Sequence, residues 1–188
     1  MFRHDWEAAF APYDEETYRA VLAQITHHDV VLDIGAGDLR LTKRVASIAR
    51  RVYAFERNPA VLMGSDQREA CWPANLIVIC ADALTTSFPA DVTTAILLMR
   101  HCTREHFAAY VKRLSALRRC RRLITNARWK MGVEAIDLRS GRAYDPGRAG
   151  WYACRCGSIG FTACDPAILT PQMLAEVVDV VSCPQCET

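Results

Sequence analysis

At 188 residues and 21.1 kDa the chain has the size of one domain. Hydrophobic residues at 51% with charged residues at 23% match a packed globular protein and exclude disordered and fibrous classes. A formal net charge of +2 is close to neutral, so on its own it points to neither nucleic acid nor membrane.

Residues 5–26 carry Trp6, Phe10, Tyr13, Tyr18, Val21, Leu22 and Ile25 at helical intervals interrupted by Pro12, which predicts two short helices. Val30 to Ile34 is an apolar run closed by Gly35, Ala36 and Gly37, the pattern of a strand buried on both faces. Residues 39–50 follow as a helix with Asp38 in the N-cap position. Further strands are expected at 51–56, 76–81, 93–99 and 122–125, with helices at 59–71 and 103–117. The link over 82–91 is too short and too rich in Thr, Ser and Pro for a crossover helix. This alternation predicts an α/β fold: a doubly wound, Rossmann-like, mostly parallel sheet with helices on both faces. Beyond it, 131–138 suits either a helix or a strand, 140–150 a loop, 151–156 with 159–164 a hairpin, and 171–181 a final helix. The expected organisation is a helical segment over 1–28, an α/β domain over 29–149 and a small C-terminal element over 150–188 packed on it.

No apolar run reaches the ~18 residues of a membrane span. Arg3, His4, Asp5 and Glu7 near the start form no apolar signal core, so no membrane association and a cytoplasmic location are expected. Charge is unevenly spread: the first 94 residues hold 9 Lys and Arg against 13 Asp and Glu, and the remainder 14 against 8. Lys112, Arg113, Arg118, Arg119, Arg121 and Arg122 crowd the turn before the strand at 122–125, at the sheet edge away from the glycines, and read as a solvated face.

In open α/β sheets ligands bind beyond the carboxyl ends of the strands. Asp33, Gly35, Ala36 and Gly37 sit at such a place, but Arg40 stands where a dinucleotide fingerprint needs a third glycine or alanine. An acid just before the glycines suits a cationic amino acid rather than a phosphate. Glu56 closes the second strand, where a carboxylate can accept both hydroxyl protons of a ribose. Asp82 closes the third and suits an adenine amine, with Ala83 offering a backbone N–H. Three acids at three successive strand ends fit an adenosine that carries a positive centre.

The ordered set of Val31, Leu32, Asp33, Ile34, Gly35, Ala36, Gly37, then Glu56, then Asp82 and Ala83 resembles the first three motifs of the class I S-adenosylmethionine-dependent methyltransferases. The likeness covers roughly residues 29–128, and residues 34–42 and 56–59 resemble the ribosomal RNA adenine dimethylases most. It implies S-adenosylmethionine as cofactor, with Asp33, Gly35 and Gly37 at its methionine part, Glu56 at its ribose, Asp82 and Ala83 at its adenine, and Ala36, Arg57 and Met99 among the residues that bind it. After the fourth strand those dimethylases and other amino-methylating relatives carry Asn or Asp, then apolar, Pro and aromatic residues. Here the chain reads Leu98, Met99, Arg100, His101, Cys102. His101 suits a general base for an acceptor that must lose a proton, and suits equally a polar start to the next helix. Arg100 offers an anion contact or a solvated charge, and Asn126, Arg128 and Trp129 reach the same edge after the fifth strand, where core or loop roles suit them equally. The methyl acceptor stays open between RNA and a small molecule. The alternative is a noncatalytic binding module whose C-terminal element recruits a protein partner.

Nine cysteines in a chain expected to be intracellular point to metal or buried thiols rather than a disulfide framework. Cys154 with Cys156 and Cys183 with Cys186 form two chelating pairs, which suit a structural, four-thiolate, zinc-ribbon-like Zn²⁺ site, with a redox disulfide or an iron–sulfur cluster as the alternatives. Cys164 is the alternative fourth ligand, and Cys71, Cys80, Cys102 and Cys120 read as ordinary thiols. Four thiolates and one Zn²⁺ would offset the formal charge of +2 and leave the folded protein near neutral.

Overall fold

The computed structural model describes residues 12–64, 72–99, 102–128 and 131–186. The first of the two N-terminal helices, the end of the 59–71 helix, Arg100, His101 and Trp129 lie outside them. Helix α1, Glu15–Leu22, is capped by Asp14, whose carboxylate accepts from Thr17 N at 2.7 Å. Strand β1, Val30–Ile34, is buried throughout. Helix α2, Arg40–Ala46, strand β2, Arg51–Glu56, helix α3, Pro59–Gly64, strand β3, Leu76–Cys80, and strand β4, Thr94–Leu97, follow. Helix α4, Arg104–Ala116, is capped by Thr103, and strand β5 is Arg122–Thr125. The ambiguous 131–138 stretch contains strand β6, Glu134–Asp137, which runs antiparallel to β5.

The main sheet has the order β3-β2-β1-β4-β5-β6, and its first five strands are parallel. Successive residues of a buried strand serve opposite faces. Val31 and Ile96 therefore pack with Val21, Val45 and Ile124 on the α1/α2 side. Leu32, Ile34 and Leu97 pack with Phe107, Leu114 and Leu123 on the α4 side. At the amino ends of the strands, Asp29 accepts from Thr26 N, Thr94 Oγ1 and the Arg122 guanidinium. The basic turn is thus divided: Arg122 is held in an ion pair, whereas Lys112, Arg118, Arg119 and Arg121 are exposed.

Two local expectations are corrected. The cap position of α2 is Leu39 rather than Asp38. Leu39 is fully buried at φ 65°, and the Asp38 carboxylate accepts from Arg40 N instead. The left-handed backbone costs a non-glycine residue about 1–2 kcal/mol, and burial of the leucine side chain between sheet and helix offsets it. The final helix is also shorter than its periodicity suggested. Helix α5 spans only Pro171–Ala175, and the β-branched run after it forms a strand. That small sheet comprises β7, Gly150–Cys154, β8, Ile159–Thr162, and β9, Val177–Val180, in the order β8-β7-β9 with β9 parallel to β7.

The small sheet docks through three arginines. Arg155 donates to the carbonyls of Asp137 and Ser140, Arg104 to Ser158 Oγ and Gln185 Oε1, and Arg128 to Asp179 of β9. Among the described residues no helix is long and apolar enough to cross a membrane.

Candidate cofactor site and cysteine centre

The sheet reverses its order between β1 and β4, and in open α/β sheets the carboxyl ends of the strands at such a reversal are where ligands bind. Gly35 and Gly37 make the turn from β1 toward α2 at φ 72° and 59°, a region that glycine enters without steric cost. The Gly35 and Ala36 amides donate to Phe55 O at 2.8 and 3.0 Å, which binds the loop to β2. The loop leaves its backbone bare beside Met99, whose Sδ would lie 3.6 Å from a Cβ placed on Gly35.

Glu56 ends β2 against this loop. Its Oε2 accepts from Gly37 N at 3.0 Å and its Oε1 from Asn58 N at 2.8 Å. Each carboxylate oxygen has two lone pairs, so this positioning leaves acceptor capacity for a ligand's hydroxyls. Asp82 lies just beyond β3, where Oδ1 accepts from Leu84 N at 2.7 Å, and Ala83 is buried next to it. Strands β1, β2 and β3 are adjacent, so Asp33, Glu56 and Asp82 stand along one rim of the sheet.

Asp33 differs from the other two. It is 4% exposed and accepts from Thr42 Oγ1 of α2 at 2.6 Å. Burial, with the nearby Glu56 charge adding to it, pushes its carboxyl up to about 6 although the Thr42 bond opposes the shift. Its negative charge lies beneath the loop. Sequence reasoning missed Thr42, and missed Tyr13, whose hydroxyl donates to Leu98 O at 3.0 Å and ties the chain before α1 to the end of β4. The signal for Thr42 was its place at the end of the 34–42 stretch that resembles the dimethylases, nine residues from Asp33. His101, expected as a general base or as a polar start to the next helix, lies outside the described residues.

The cysteine quartet comes together as its spacing suggested. The ligand atoms of Cys154, Cys156, Cys183 and Cys186 lie within 4.8 Å of one another. Sulfur separations are 3.5 Å for Cys154 and Cys186, and 3.7 Å for Cys183 with each of Cys156 and Cys186. A tetrahedral ion with ~2.3 Å bonds to sulfur spaces its ligands by about 3.8 Å, whereas a disulfide needs ~2.05 Å. The donor set therefore fits a four-coordinate thiophilic metal. Cys164 is no part of it, since its thiol faces Asp165 O. Cys120 is a buried thiol pushed up to about 11 by burial, which makes it inert.

The sequence pattern of the family described as ribosomal RNA adenine dimethylase matches residues 14–126 and ends before the small sheet and its cysteines. The probable ribosomal RNA small subunit methyltransferase A of Methanosarcina mazei is 40% identical over 68 residues, 36% of this chain and 24% of that protein. Its counterpart from Methanococcus maripaludis is 39% identical over 62 residues, 33% of this chain and 23% of that protein. The chain thus spans about a quarter of the length of the curated relatives it matches. The crystal structure of the 23S rRNA methyltransferase ErmE superposes with a TM-score of 0.51 at 22% identity, over 62% of this chain and 47% of that one. A dimethyladenosine transferase from Plasmodium falciparum gives 0.50 at 20% identity, over 60% and 41%. At such identity these structures establish the common fold.

Proposed function

The chain belongs to the ribosomal RNA adenine dimethylase family, and from that membership we propose that it transfers a methyl group from S-adenosylmethionine to a base in RNA. The observation that carries the cofactor reading is Glu56, held by Gly37 N and Asn58 N at the rim beside the glycine loop. The RNA acceptor is supported by the family and by the names of the relatives. When bound, S-adenosylmethionine supplies an electrophilic methyl group on a sulfonium. Glu56 accepts the ribose hydroxyls, with Arg57 next to it. Asp82 and the Ala83 N–H serve the adenine, and Met99 borders the bare loop backbone. Asp33 sets a negative field under Gly35, Ala36 and Gly37 that favours the cationic end of the cofactor.

Calorimetry with S-adenosylmethionine and S-adenosylhomocysteine tests this reading. Both ligands should bind, and Glu56→Ala should weaken both by roughly 10–100-fold, the loss expected for hydrogen bonds to a charged group. Binding of neither ligand to the wild-type protein rejects the proposal.

The second cofactor in this reading is structural Zn²⁺ on Cys154, Cys156, Cys183 and Cys186. All four positions are thiolates, so the ion holds two turns of chain together and offers no site for water. Chelation should therefore raise amide hydrogen exchange first over residues 150–186, while β1 and β4 stay protected. Equal protection of the small sheet with and without metal would count against a metal-dependent fold.

A further inference from the structure

The amino ends of the parallel strands form the rim of the main sheet opposite the glycine loop. A cleft of about 600 Å³ opens there, between the turn after α4, the starts of β4 and β5, and β6. Four arginines line it, Arg118, Arg121, Arg122 and Arg139, together with two aspartates. Both acids are already engaged. Asp29 accepts from Thr94 Oγ1 and pairs with Arg122 at 3.0 Å. Asp137 accepts from Arg139 N, Ser140 N and the Ser140 hydroxyl.

The arginines divide in the same way. Arg122 is bound to Asp29, and the Arg139 guanidinium donates to the carbonyls of Ser115 and Leu117, which holds it at the end of α4. Arg118 and Arg121 are exposed, and neither side chain has an ion pair or hydrogen bond among the described residues. Arg119 in the same turn is exposed as well. Among the described lining residues the one apolar side chain is the methyl group of Ala135, so the cleft has no floor on which a base or a lipid chain could pack. It offers guanidinium donors in an open channel, which match the oxygens of phosphate.

We infer that this rim grips the phosphate backbone of an RNA, with Arg118 and Arg121 as the contact residues. The inference rests on the methyl-transfer reading above and adds to it a second contact surface, at the sheet edge away from the cofactor. Phosphate contacts position a strand without reading its sequence, so this surface would set the register of the RNA while the acceptor base is presented at the other edge. One molecule can serve both edges. The five residues of β1 rise roughly 16 Å, and a helical strand advances ~3.4 Å per nucleotide, so about five nucleotides pass from one rim to the other. The charge distribution agrees with a local grip. A chain with a formal charge of only +2 has little general attraction for a polyanion, yet its second half carries 14 Lys and Arg against 8 Asp and Glu.

The test uses the metal-loaded protein saturated with S-adenosylhomocysteine and titrated with a short single-stranded RNA of mixed sequence at rising salt. The RNA should bind at low salt. Arg118→Gln and Arg121→Gln should each weaken it by roughly three-fold or more and flatten the slope of log affinity against log salt by about 0.7, the share of one phosphate contact on a single strand. The double variant should lose roughly ten-fold or more, to a similar extent for RNAs of different sequence, with S-adenosylhomocysteine affinity unchanged. Arg19→Gln, which removes the same charge from exposed α1, should alter neither affinity nor slope. Equal RNA binding by wild type and double variant overturns the inference, as does an Arg19→Gln effect as large as that of Arg118→Gln. Absence of RNA binding while S-adenosylhomocysteine binds also overturns it. Poly-glutamate binding as tightly as RNA, with the same losses, overturns the assignment to RNA and points to an acidic protein. Failure of S-adenosylhomocysteine itself to bind is a separate result, which rejects the methyl-transfer reading on which this inference rests. Thermal unfolding shows whether each variant is folded, and the exposure of both arginines makes glutamine a mild replacement.

Discussion

Replacement of Arg128 by Met should destabilise the protein by about 3–5 kcal/mol, the loss typical of breaking one side of a buried ion pair. Arg128 follows β5 and is 2% exposed. Its Nε donates to Glu134 Oε1 at 2.6 Å and its Nη1 to Asp179 Oδ1 at 2.7 Å, with Nη2 on the second Glu134 oxygen. Burial alone works against the charged guanidinium, but Glu134 and then Asp179 outweigh it and hold its pKa above the ordinary value. Glu134 begins β6 of the large sheet and Asp179 belongs to β9 of the small one. One side chain therefore joins both sheets to the turn after β5. Without it Glu134 keeps a poorly solvated charge, whereas Asp179, partly exposed, relaxes toward water. Urea unfolding should show the full loss for Arg128→Met and a smaller one for Arg128→Lys, which keeps the charge but not the planar fork. A loss below about 1 kcal/mol for Arg128→Met would place this contact among ordinary surface pairs.

Asp33→Asn should move stability and cofactor affinity in opposite directions. A buried carboxyl raised from 3.8 to about 6 binds its proton more tightly in the folded chain than in the unfolded one. Its contribution to stability is fully present below the unfolded value and is lost as pH rises through the folded value, so it is absent at pH 7. Asparagine carries no charge to bury, and at pH 7 the variant should be more stable by about 2–3 kcal/mol, provided it keeps a hydrogen bond with Thr42. The wild-type protein should lose a similar amount between about pH 4 and pH 6, and this slope should vanish in the variant. S-adenosylmethionine binding should weaken by at least about ten-fold, since the field that favours its cationic end is gone. Denaturant titrations across pH, paired with calorimetry, measure both effects. Lower stability of Asp33→Asn at pH 7, or unchanged affinity, would contradict this account.

The parallel strands, the glycine loop and the cysteine quartet were legible because each leaves a local pattern. An apolar run ended by glycines, an acid at a strand end and paired thiols at chelating distance need no tertiary knowledge. The misread features depend on tertiary context. Residues 177–180 have the spacing of a helix face, yet the open edge of β7 captures them as β9 and their β-branched side chains favour that pairing. Leu39 carries no sign of its left-handed backbone, because the burial that compensates it is supplied by residues distant in sequence. Arg128 and Asp179 are 51 residues apart, and no one-dimensional pattern connects them. Asn126 was visible at the end of the fifth strand, but the shielding of its unpaired amide is a property of the folded chain alone.

Leu39 has a thermodynamic corollary for the turn that precedes it. Glycine-rich loops have many accessible shapes when free, and a ligand that selects one of them must overcome that entropy. Here the hinge residue at the far end of the loop is driven into the hydrophobic interior, and the near end is clasped by two amides on Phe55 O. The ensemble is already narrowed before any guest arrives. A ligand binding at this loop would then dock into a preset mould, with the strain held at one backbone angle in place of disorder that it would otherwise have to quench.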